Sequence, residues 1–222
     1  MLILASQSPR RRDLLEREGV DFRVVTRETE EVNEANLPPE DICARNAAAK
    51  ALAVAAEHPQ DTVVGADTLV FLRGKPLGKP ADEEDAFRML SELQGKTHCV
   101  CTAVAVVLPG GERRDFTEKS YVTFRRMTPE AIRHYLSEVY VLDKAGAYAM
   151  QEKSELIVEK VEGDVDNVIG LPVTRLLTVL GIQRSSNQVL PDEGLPDEGL
   201  PDEGLPDWHL SDWRLSDWHL PD

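Results

Sequence analysis

The sequence predicts an α/β fold (α+β in the mixed sense) built on a mixed sheet, and three observations lead there. Strand-like and helix-like segments alternate over residues 1–183. The β-branched run Asp61–Leu72 is long and apolar enough for a buried strand. Two further long strand-like runs, Thr97–Leu108 and Asp115–Phe124, flank a Pro109-Gly110-Gly111 turn and so read as an antiparallel hairpin.

In chain order, Met1–Ala5 and Phe22–Val25 read as strands around a first helix, Arg10–Glu18, closed by Gly19. Ser8 can cap that helix and Pro9 suits its first turn. Pro38-Pro39-Glu40-Asp41 opens an alanine-rich helix to about Glu57, ended by His58-Pro59. Asp82–Leu93 is helical, with an acidic first turn and Gly95 behind it, and Thr128-Pro129-Glu130 starts a helix to about Ser137. A last helix runs from near Pro172 to the Gly181 region. From residue 184 the pattern changes, and from Leu190 Leu-Pro-Asp-Glu-Gly-type pentapeptides recur. A period of five fits neither helix nor strand, so 184–222 reads as an extended appendage or, on its tryptophans, a docking strip.

The chain has 222 residues, 41% hydrophobic and 29% charged, and a net charge of −15. From Leu190 onward ten acidic residues face one base, Arg214, so the tail carries −9 of that charge. An acidic chain lacks the broad basic surface that nucleic-acid binding needs. No apolar run reaches the roughly 20 residues of a membrane span. The N-terminus does not read as a signal peptide. Cys43, Cys99 and Cys101 lack metal-ligand spacing and read as reduced thiols of a cytoplasmic protein, Cys99 and Cys101 on one strand face.

Two segments point to chemistry. Ser6-Gln-Ser8-Pro9-Arg10-Arg11-Arg12 sets hydroxyls and three arginines between a strand and a helix start. The charges repel one another and gain nothing from the helix dipole, which makes sense for an anion site; a solvated basic patch is the alternative. In Val63-Val-Gly65-Ala66-Asp67-Thr68, an acid sits mid-strand beside small residues. Such a carboxylate must be paired, hydrogen-bonded or metal-bound, and could ligate Mg²⁺ or take a proton from water. Gly74-Lys-Pro-Leu-Gly78-Lys79-Pro80 lacks the phosphate-loop pattern, yet Lys79 suits a point contact with phosphate. An amide such as Gln151, after a run of small residues, can read a base edge. His58, His98 and His134 read as structural. Together these residues favour metal-assisted attack of water on a nucleoside polyphosphate.

The motifs Leu4-Ala-Ser-Gln-Ser-Pro-Arg-Arg11, Arg45…Lys50-Ala51, Gly65-Ala-Asp-Thr68, Gly78-Lys-Pro80, Leu93-Gln-Gly-Lys-Thr-His98, Asp143-Lys-Ala-Gly-Ala-Tyr148…Gln151 and Glu162-Gly-Asp164…Asn167-Val-Ile-Gly-Leu-Pro172 occur in this order over residues 2 to about 181. In them the chain closely resembles the Maf-like nucleotide pyrophosphatases, once described as septum formation inhibitors. The resemblance implies an inosine triphosphatase-like fold, an elongated mixed sheet flanked by helices in two lobes around a central cleft. It implies hydrolysis of a nucleoside triphosphate to monophosphate and diphosphate with a divalent cation, Mg²⁺ or Mn²⁺.

In those terms Asp67 is the general base and a metal ligand, and Ser6, Arg10, Arg11, Lys50 and Lys79 hold the triphosphate. Gln151 lies near the base, and Glu30 or Glu31 completes the metal site. Members of the dTTP/UTP type carry Arg, Thr and Gln at three type-specific positions, and members acting on 7-methyl-GTP an aromatic residue, Gln and Glu. Arg10, Thr68 and Gln151 match the first type, and Arg12 is left as a solvated bystander. Glu152 and Asp166 depart from the family pattern, which usually has Gly and often an aromatic residue there. Family members often pair, so a homodimer is the implied assembly. A nucleotide-binding regulator of cell division with little turnover is the rival reading.

All three tryptophans, Trp208, Trp213 and Trp218, lie in the tail. Tryptophan emission therefore reports the tail alone. An extended appendage predicts solvent-like emission, whereas a blue-shifted spectrum would show docked indoles.

Overall fold

In a computed structural model of the protein, residues 1–32 and 37–183 are described; the repeat tail lies outside them. Seven strands form one mixed sheet: β1 (Leu2–Leu4), β2 (Phe22–Val24), β3 (Thr62–Leu72), β4 (Lys75–Leu77), β5 (Thr97–Val107), β6 (Arg113–Phe124) and β7 (Val158–Glu162). Their order is β2-β1-β3-β5-β6-β7, with β4 paired to the end of β3. β1 runs parallel to β2 and β3, and the other pairs are antiparallel. Six helices accompany them: α1 (Pro9–Arg17), α2 (Pro39–Ala55), α3 (Glu83–Leu93), α4 (Pro129–Glu138), α5 (Val165–Ile169) and α6 (Val173–Leu180). No helix among the described residues is long and apolar enough to cross a membrane.

Side chains alternate across a strand, and β3 uses both faces. Val63 and Phe71 join a core under α2, with Cys43, Ala47, Ala51 and Cys101. On the other face Val64 and Ala66 pack with Leu14, Leu15, Leu176 and Leu177 of α1 and α6. Val70 belongs to a separate core with Leu90, Leu93 and Tyr135 of α3 and α4. Thr68 stands between these last two cores. That face of the sheet thus carries two apolar lobes with a polar seam between them.

The helix on the first face comes unusually close. A Cβ built on Gly65 would lie 2.4 Å from the Ala47 carbonyl oxygen and 2.7 Å from the Ala51 nitrogen. The alanine run of α2 and this glycine together bring helix backbone against strand, which sets Asn46 and Lys50 over Asp67.

The expected long strands, the hairpin and the main helices are present. β4 occupies a stretch expected to be loop, and β7 and α5 were not anticipated: two are three- and five-residue strands and the third a helix of little more than one turn. Ser8 takes the N-cap position of α1 without a side-chain capping bond. The Ser6 Oγ instead accepts from the Ser8 N–H at 3.2 Å, because the turn folds back on the earlier hydroxyl. The three cysteines are free thiols, and Cys99 and Cys101 share the face under α2.

Gly65→Ala should destabilise the fold by about 2 kcal/mol, since backbone atoms cannot yield as a flexible side chain can. Urea unfolding measures this, and an unchanged midpoint would mean that α2 withdraws freely.

Candidate active site

A cleft of about 1100 Å³ opens where the C-terminal end of β1, the middle of β3, α2 and the 143–151 segment meet. Ser6, Arg10, Arg11, Glu31, Lys50, Asp67, Thr68, Lys79 and Gln151 all line it. The chain thus brings together every site residue expected from the sequence, drawn from positions up to 145 apart. Between the two acids left open, Glu31 lines the cleft and Glu30 does not.

Asp67 is buried on β3. Its Oδ1 accepts from the Lys50 Nζ at 2.7 Å, and its Oδ2 from the Asn46 Nδ2 at 3.3 Å. A buried carboxylate without partners would be costly, so this lysine and amide account for its placement there. The same ammonium lies 3.2 Å from Glu31. Asn46 also accepts from the Val32 N–H at 2.8 Å, tying the segment that carries Glu31 to α2.

Arg11 is held differently. It donates to the Gly170 carbonyl at 2.7 Å, to the Ser6 Oγ at 3.0 Å and to the Thr68 Oγ1 at 2.9 Å, all neutral oxygens. Burial pushes its pKa below the ordinary value, and the charge of Asp67 partly offsets that. A cation so placed is positioned but not neutralised, which suits an anionic ligand. Gly170 contributes its carbonyl from a backbone with φ +131°, a conformation that L side chains rarely adopt.

Arg10 reaches across the cleft to Asp143 at 2.8 Å, and Asp143 also accepts from Lys144 at 2.9 Å. Burial works to raise the Asp143 pKa, but those two hydrogen bonds hold it below the ordinary carboxylate value. Lys79 and Gln151 are exposed on the cleft wall, and Lys79 has no ion pair among the described residues. Arg12 is exposed and, among the described residues, pairs with its neighbours Asp13 and Glu16. Asp166, which departs from the family pattern, forms a two-point ion pair with Arg17 at 2.6 and 2.9 Å.

Sequence reasoning passed over Asn46, Asp143 and Lys144 as individual site residues. An asparagine four positions before Lys50, inside an alanine-rich buried helix, is a signal that could have found the first. The adjacent opposite charges of Asp143-Lys144 gave no sign of which partner lay across the fold.

No cluster of three or more His, Cys, Asp or Glu side chains suited to a metal occurs among the described residues. Asp67 and Glu31 are nevertheless hard oxygen donors gathered on one ammonium. They fit Mg²⁺ or Mn²⁺ as part of a shell that phosphate oxygens and water would complete.

Tyr148 forms part of the cleft wall, and behind it His98 is buried, its Nε2 2.9 Å from the Tyr148 hydroxyl and its Nδ1 without a partner among the described residues. Phe124 packs edge-on against both rings. Burial lowers the His98 pKa from 6.5 to about 4, so the imidazole is neutral and braces Tyr148.

The model of the family described as Maf-like protein matches residues 1–182. A dTTP/UTP pyrophosphatase of Akkermansia muciniphila is 57% identical over 179 residues, covering 81% of this chain and 94% of that protein. One of Moorella thermoacetica is 45% identical over 185 residues, covering 82% and 95%. Among solved structures, a HAM1 protein from Coxiella burnetii has the same fold, with a TM-score of 0.50 at 14% identity over 81% of this chain and 98% of that one.

The depressed His98 pKa has a consequence for stability. The unfolded chain takes up a proton below 6.5 that the folded chain refuses until about 4. Stability should therefore fall as pH drops through this window and level off below it, by on the order of 3 kcal/mol. Urea unfolding of His98→Phe and the parent from pH 7 to 4 measures the difference; parallel pH curves would rule out this imidazole as the source.

Proposed function

The chain belongs to the Maf-like family, and from that premise we propose that residues 1–183 hydrolyse dTTP and UTP to the monophosphate and diphosphate. One observation carries this reading: a buried carboxylate, Asp67, faces a cleft whose cations come from five separate segments. Those cations are Arg10 and Arg11 on α1, Arg27 after β2, Lys50 on α2, Lys79 after β4 and Lys144 beyond α4. The pyrophosphatase names of the relatives supply the substrate class.

Arg11, Ser6 and Lys79 would hold the triphosphate, their donors meeting phosphate oxygens by charge-assisted bonds. Asp67, fixed by Lys50 and Asn46, would take the proton of the attacking water. The phosphoanhydride bond between the α and β phosphorus atoms breaks, the diphosphate leaves, and the water oxygen remains on one of the two products. Asp67 and Glu31 would hold the divalent cation, which when bound neutralises charge on the phosphates. Arg10, Thr68 and Gln151 would distinguish nucleotides. We place the activity in the cytoplasm, consistent with three unpaired thiols, and expect a homodimer.

Purified protein with Mg²⁺ should release pyrophosphate from dTTP and UTP faster than from ATP, GTP or CTP. Asp67→Asn should lower kcat by about 10²- to 10⁴-fold while nucleotide affinity stays within a few-fold. Tight binding of dTTP with no product from the parent would favour the regulator instead. Full turnover by Asp67→Asn would remove that residue from the reaction.

A further inference from the structure

The polar seam between the two lobes is more than a gap in the apolar packing. Thr102 of β5 lies opposite Thr68 of β3, and both Thr102 and Asn167 of α5 are fully buried. The Thr102 hydroxyl donates to the Asn167 carbonyl at 2.9 Å, which uses its one proton. The 3.0 Å contact between the two threonine hydroxyls is then donated by Thr68. Thr68 in turn accepts from the Arg11 Nη2. The bonds thus run from Arg11 to Thr68 to Thr102 to Asn167, and the Thr68 hydroxyl also lies 3.4 Å from the Gly170 carbonyl, a second and longer acceptor for its proton. Such aligned chains polarise and strengthen one another.

The chain also closes on itself. Gly170, three residues beyond Asn167, accepts from the Nε of the same Arg11. Asn167 clamps this short helix to the sheet, its Nδ2 donating to the Val100 carbonyl at 3.2 Å and to the Ser120 Oγ at 2.9 Å. The Ser120 hydroxyl donates to the Asp164 carbonyl at 2.7 Å, holding the other end of α5. The Asn167 Oδ1 is buried with no partner among the described residues. Leaving it so is costly, and what the side chain supplies in exchange is its donor group.

We propose that Thr102 and Asn167, which do not themselves line the cleft, are positioning residues that aim the Arg11 guanidinium at the phosphates through this ring of hydrogen bonds. The inference rests on the pyrophosphatase reading for its kinetic test and on the geometry alone for its binding test.

Thr102→Val keeps the shape and removes the hydroxyl. It should lower kcat/KM for dTTP by about tenfold or more, as small misplacements of a positioned group do, with thermal unfolding still cooperative. Thr102→Ser should restore most of the loss. In an Arg11→Met background the same Thr102→Val change should alter kcat/KM less than about twofold, because the group it aims is gone. Ser120→Ala, which removes one acceptor of the Asn167 amide, should follow the same pattern more weakly and serves if Thr102→Val does not fold. Parent-like kinetics of Thr102→Val, or an equal loss with and without Arg11, would overturn the proposal. If the parent releases no pyrophosphate, the function reading fails separately. The same cycle read as dTTP affinity by calorimetry then decides the positioning role.

Discussion

The approach of α2 to β3 at Gly65 sets the geometry on which the rest of the site depends. Strand and helix backbones meet there with no side chain between them. Two residues further along the strand, on the same face, comes Asp67; on the helix Asn46 and Lys50 flank the contact. A separation even one methyl group larger would draw the ammonium and the amide away from the carboxylate, leaving an ion buried without its hydrogen bonds. Asn46 carries the constraint further, since it grips the backbone of Val32 as well. The position of Glu31 therefore follows from the same contact.

The opposite face of the sheet solves a different problem. Two apolar lobes share the long strands β3, β5 and β6, and ligand charge must enter between them. A seam of Thr68, Thr102, Ser120 and Asn167 makes that possible, because each hydroxyl is satisfied by its neighbour. Arg11 ends the seam at the cleft, with its charge uncompensated by any direct carboxylate contact. The two faces thus meet at β3, one presenting a paired anion and the other a cation awaiting a partner.

Much of this was legible in the sequence, and the reasons differ by element. β3 and β5 declare themselves through β-branched, apolar runs, and α2 through alanine bounded by prolines. β4, β7 and α5 escaped because they have no periodicity of their own: β4 holds two exposed residues of three, and β7 is a half-exposed edge strand. Their existence is set by tertiary pairing. Asp67 and the arginines stood out because charge in those settings is expensive. Asn46 and Asp143 did not, since what makes them matter is a partner 14 to 133 residues away. Ser8 shows the converse, a sound local capping signal overridden by the fold of the turn around Ser6.

The type-specific threonine also acquires a physical meaning. Thr68 spends its hydroxyl on Arg11, Thr102 and the Gly170 carbonyl, so it has little left with which to read a base. A glutamine at this position, the residue that the resemblance associates with the 7-methyl-GTP type, would be longer, and its amide oxygen would offer Arg11 an acceptor at a different place. The guanidinium would then have to settle elsewhere. Under the proposed activity, Thr68 therefore selects the nucleotide indirectly, by fixing where the phosphates sit. Under the same proposal, Gln151 and Arg10, the latter held at the opposite wall by Asp143, would be the groups placed to meet the nucleoside itself.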